Sequence, residues 1–94
     1  MEIVKQNEVF NLSDTTEVFE MQGNANYDVS GSLQVHFTVN KIGGEYIGDA
    51  HYNKYSESPT VNFGINCSEE NRKELTSYVY TLIDTVLKHF NSSN

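Results

Sequence analysis

Apolar side chains follow two rhythms along this chain. In the last third, Leu75, Tyr78, Val79, Leu82, Ile83, Val86, Leu87 and Phe90 recur at steps of three and four. That spacing puts them on one stripe of an α-helix. Ser68 stands just before the stripe, where its hydroxyl can accept a hydrogen bond from an orphan amide of the first turn. Glu69 and Glu70 meet the positive end of the helix dipole, and Lys88 and His89 the negative end. A helix from Glu69 to Phe90 would be roughly 33 Å long, enough to cross a domain of this size.

The middle of the chain, over 26–67, has a period of two. Val29, Gly31, Leu33, Val35, Phe37 and Val39 alternate with polar neighbours. Tyr46, Gly48, Ala50 and Tyr52 repeat the pattern, and after Pro59 so do Val61, Phe63, Ile65 and Cys67. Such alternation marks strands with one buried and one wetter face. Gly43-Gly44 suits the centre of a hairpin turn, because glycine reaches positive φ at no steric cost. With that turn, Val35 faces Tyr52, Phe37 faces Ala50 and Val39 faces Gly48, so apolar meets apolar; a longer loop would shift the pairing by two and keep the same faces. The same register sets His36 opposite His51.

The first segment, 1–23, reads as a hairpin. Glu2 to Leu12 forms one strand, Ser13-Asp14-Thr15 the turn, and Val18 to Met21 a strand ending near Gly23. Asp14 and Glu17 also have capping-box spacing, so a short helix there is the alternative. Residues 91–94 read as a frayed tail. The elements assemble into an α+β two-layer sandwich: an antiparallel meander of four to five strands, then one long amphipathic helix on one sheet face.

Composition narrows the functional classes. The 94 residues make one domain with one modest core. Thirteen acidic residues oppose six basic ones, for a net charge of −7. The imbalance is densest early, where Glu2, Glu8, Asp14, Glu17, Glu20 and Asp28 face Lys5 alone. That field repels phosphate backbones and suits a partner with a basic surface, so neither nucleic acid nor membrane is an expected partner. Cys67 is the only cysteine, which rules out an intrachain disulfide. The start of the chain lacks the features of a signal peptide, so a cytoplasmic setting is expected, in a bacterium or phage. The Asn-x-Ser triplets at Asn11, Asn66 and Asn91 then read as chance matches.

Few residues suggest chemistry. His36, His51 and Asp49 are of ligand types that zinc and similar cations accept. Structural and catalytic zinc takes three or four protein ligands, so the pair also reads as plain polar surface. Cys67 shares the parity of Val61 and Phe63, which predicts an inward, inert thiol. The aromatic residues read as core, except that Tyr27, Tyr55 and Tyr80 are expected to be partly exposed. The chain has no phosphate-binding loop and no Gly-x-Ser-x-Gly elbow.

The resulting expectation is a non-enzymatic protein-interaction module with no cofactor, of an inhibitor, immunity or anti-defence kind that works by occlusion. Candidate partner-binding residues are His36, Thr38, Asp49, His51 and Tyr80, and a homodimer is expected. The alternative is a small-ligand or metal-binding domain that uses the uncovered sheet face.

Overall fold

The computed structural model describes residues 1–6, 9–27, 32–54, 58–64 and 67–92. Six strands come first: β1 (Glu2–Gln6), β2 (Val9–Thr15), β3 (Phe19–Tyr27), β4 (Leu33–Lys41), β5 (Tyr46–Asn53) and β6 (Thr60–Phe63). One helix follows, α1 (Glu69–Ser92). Each strand pairs antiparallel with its neighbours in sequence, so the sheet order is β1-β2-β3-β4-β5-β6. The helix covers one face, giving the expected α+β meander and helix with six strands in place of four or five.

The differences lie mostly in the N-terminal segment. Glu2 to Leu12 divides into two strands that pair with each other, Ile3 opposite Leu12. Ser13, Asp14 and Thr15 belong to β2, not to a turn. The chain reverses just after them, where Thr16 Oγ1 accepts hydrogen bonds from the amides of Val18 and Phe19 at 3.1 and 2.9 Å. A hydroxyl that replaces a backbone acceptor in this way closes a turn locally. The segment after it is a strand, not a short helix, and runs on past Gly23. Gly23 sits opposite Phe37, where an added Cβ would collide with the Cβ of Phe37 and the carbonyl of His36. The glycine marks a close backbone approach rather than a strand end.

In the central hairpin the expected pairs form: Val35 with Tyr52, Phe37 with Ala50, Val39 with Gly48 and His36 with His51. The turn itself is displaced. The Gly44 amide donates to the Lys41 carbonyl at 2.9 Å, so Ile42 and Gly43 are its central residues. Gly43 and Gly44 have φ of +109° and +101°, a region that side-chain-bearing residues rarely adopt. Tyr46 lies opposite Asn40 while Gly48 lies opposite Val39, so Ile47 is an extra residue in a β-bulge. The bulge turns Ile47 into the core at 2% exposure. It also turns Tyr46, expected on the core face, outward at 50% exposure.

The Ser68 hydroxyl caps α1, accepting from the Asn71 amide at 3.1 Å. Asn91 and Ser92, expected in the tail, continue the helix. Leu75, Val79, Leu82, Ile83, Val86 and Phe90 are buried against Leu12, Met21, Phe37, Val39 and Ala50 in one core. The first part of α1 lies over β5, where Leu75 Cδ2 would be 2.6 Å from a Cβ at Gly48. Further along, Tyr78 stacks on Phe19 at 5.2 Å, and Phe90 stacks on Tyr27 and meets Phe10 edge-on, both at 4.8 Å. The helix thus crosses from β5 toward β2 and β3. Phe63 has core parity but is 40% exposed, because β6 is the sheet edge. The expected strand positions Val29 and Gly31, together with Tyr55, Ile65 and the tail residues 93–94, lie outside the described residues. Among the described residues, no helix is long and apolar enough to cross a membrane.

The Tyr78 hydroxyl donates to Asp14 Oδ2 at 2.6 Å. Its pKa is raised above the ordinary tyrosine value, first by burial and then by the hydrogen bond to Asp14 and the charge there. An unfolded tyrosine loses its proton at about pH 10. The stability contributed by Tyr78 is therefore present below about pH 10 and is lost as pH rises above it. Denaturant titrations across this range should show a steeper alkaline loss for the wild type than for Tyr78→Phe. Equal losses would refute the linkage.

Candidate functional site

The face of the sheet away from α1 collects the side chains that alternate with the core. By register, Asn24, His36, His51 and Thr60 form one row across β3 to β6. The next row holds Gln22, Thr38, Asp49 and Asn62. His36, Thr38, Asp49 and His51 are therefore brought together at the middle of the uncovered face. Tyr80, half-exposed on α1, belongs to the other layer and does not join them.

The two imidazoles stack, with ring centroids 4.3 Å apart and planes 21° from parallel. Cross-strand pairing at directly opposed positions brings the rings this close. Asp49 Oδ2 lies 3.5 Å from His51 Nε2 and 3.9 Å from His36 Nε2. One ligand atom from each of the three residues lies within 4.8 Å of the others. The Asp49 side chain is 19% exposed, whereas the imidazoles are about half exposed at 45% and 55%. The carboxylate is thus set into the sheet with the rings standing around it.

A fourth residue orients the carboxylate. The Tyr46 hydroxyl donates to Asp49 Oδ1 at 2.9 Å, which leaves Oδ2 to face the histidines. The Tyr46 pKa is raised, by desolvation first and then by the hydrogen bond to Asp49 and its charge, so the phenol stays a proton donor at neutral pH. Strict alternation had assigned Tyr46 to the core. The signal that points to the bulge is Ile47, a strongly apolar residue on the parity of Asp49 and His51. Beside the histidines, a shallow depression of ≈ 270 Å³ is lined in part by Asn24, Asn26, Gln34 and Asn53.

Cys67 is partly buried, not fully inward, and follows the end of β6. Its thiol donates to the Ser68 carbonyl at 3.7 Å. Comparisons with protein-family models, with curated proteins and with solved structures find no match.

Proposed function

We propose that the protein is a non-enzymatic interaction module that presents its uncovered sheet face to a protein with a basic surface. The charge arrangement of that face carries the reading. Its register positions include Glu2, Glu20 and Asp49. Among the described side chains, no Lys or Arg falls on its parity: Lys41 pairs with Phe19 on the core parity, Lys54 follows β5, and Arg72, Lys73 and Lys88 lie on α1. An acidic field steers basic partners toward the face and repels phosphate backbones. Asn11, Gln22, Asn24, Gln34 and Asn62 add amide donors and acceptors for hydrogen bonds across an interface. Occlusion by such a surface suits an inhibitor, immunity or anti-defence role, and a cytoplasmic setting fits the single cysteine.

The test places a bulky cation on the face. Thr38→Arg should abolish recovery of the protein captured by the wild type, while Thr81→Arg, on the outer side of α1, should preserve it. A captured protein with an acidic contact surface, or equal capture by the two variants, would overturn the reading. Light scattering tests whether a second copy is the partner: a dimer broken by Thr38→Arg would pair this acidic face with itself and overturn the basic-partner reading. A second reading, binding of a small polar ligand, is supported by the amide-lined depression beside the histidines.

A further inference from the structure

We infer that His36, His51 and Asp49 form a binding site for a divalent transition cation of the zinc class. The donor set fits that class, because imidazole nitrogen suits zinc, nickel, copper and iron, and a carboxylate completes a three-ligand face. The spacing puts the donors within reach of one ion. A tetrahedral cation about 2.0–2.1 Å from each donor holds neighbouring donors about 3.3 Å apart. The two distances from Asp49 Oδ2 are 3.5 and 3.9 Å, and the three donor atoms lie within 4.8 Å of one another. Because an imidazole binds a metal in its ring plane, the stacked rings must rotate about their side-chain torsions to bring both nitrogens onto the ion.

The site has the supporting contact that metal centres use. Ligating carboxylates are held by outer hydrogen bonds that set their direction. Tyr46 does this for Asp49 by engaging Oδ1 and turning Oδ2 toward the nitrogens. The backbone beneath is equally determined: His36 and His51 are paired in the ladder, and the bulge at Ile47 is what brings Tyr46 to this face. Three protein ligands on an open sheet face leave at least one coordination position toward solvent.

Zinc alone is the probe. Titration of the full chain with Zn²⁺, followed through the imidazole NMR resonances and by calorimetry, should shift His36 and His51 together with one-to-one stoichiometry. His51→Gln, His36→Gln and Asp49→Asn should each remove the binding. Tyr46→Phe keeps all three ligands and should weaken it about 10–100-fold, the usual effect of losing an outer-shell partner. His89→Gln and Cys67→Ser, which alter the remaining histidine and the thiol, should bind as the wild type does. Circular dichroism shows whether each variant is folded, and these surface positions leave the core intact. The assignment fails if zinc in large molar excess leaves the His36 and His51 resonances unmoved. It fails equally if binding persists in His51→Gln and Asp49→Asn, or disappears in His89→Gln or Cys67→Ser. None of these outcomes depends on a protein partner.

Discussion

Phe37→Ala is expected to destabilise the protein by about 3–5 kcal/mol, the usual cost of emptying a core phenylalanine site. Phe37 is 1% exposed and sits near the centre of the sheet, on β4 between β3 and β5. Its neighbour across β3 is Gly23, which has no side chain, and across β5 it is Ala50, which has a small one. The ring fills the space that these two leave under α1. The backbones are already held by their ladders, so the sheet cannot collapse into the vacancy. Domains of this size are stable by about 5–14 kcal/mol, so the loss would be a large part of the total. Denaturant unfolding should show a lower midpoint with an unchanged slope. A loss near that of an exposed substitution would mean that Phe37 does not occupy the core.

Leu82→Ala should cost about 2–5 kcal/mol, whereas its neighbour Thr81→Ala should lie within about half a kcal/mol of neutral. Leu82 is 3% exposed on the stripe that faces the sheet, and Thr81 is exposed on the other side. Thr81 Oγ1 bonds back to the Ser77 carbonyl at 3.0 Å, a contact within the helix that contributes little to its packing. Helix propensity changes by no more than about 0.7 kcal/mol in either substitution, so a difference of about 2 kcal/mol or more between them reports burial. Equal losses would reject the assigned helix face, and with it the two-layer packing.

The order of meander and helix was legible because both rhythms are strong. The helical stripe from Leu75 to Phe90 needs a sheet face, and the alternation from Leu33 to Tyr52 supplies one. That His36 and His51 share the uncovered face was legible for the same reason, although their direct pairing also rests on the bulge at Ile47, which offsets the displaced turn. A one-residue slip would have moved every apolar side chain of that hairpin to the wrong face. The N-terminal strands were less legible. β1 and β2 lie toward one edge, where Ile3, Phe10 and Leu12 are the described side chains that pack on the core and the pattern is sparse.

By itself, then, the sequence determined the fold class, the helix face and which residues of the central hairpin share a face, since each follows from a local period. The direct pairing of His36 with His51 also needed the extra residue at Ile47, which offsets the displaced turn. The tertiary structure alone decided the placement of Tyr46 over Asp49 and the true role of Gly23. Each depends on backbones meeting across strands. A bulge at Ile47 breaks the period of two, and the approach of Phe37 demands a glycine that a single strand cannot reveal. Periodicity records which side chains avoid water, whereas these two features record which atoms come together once they have done so.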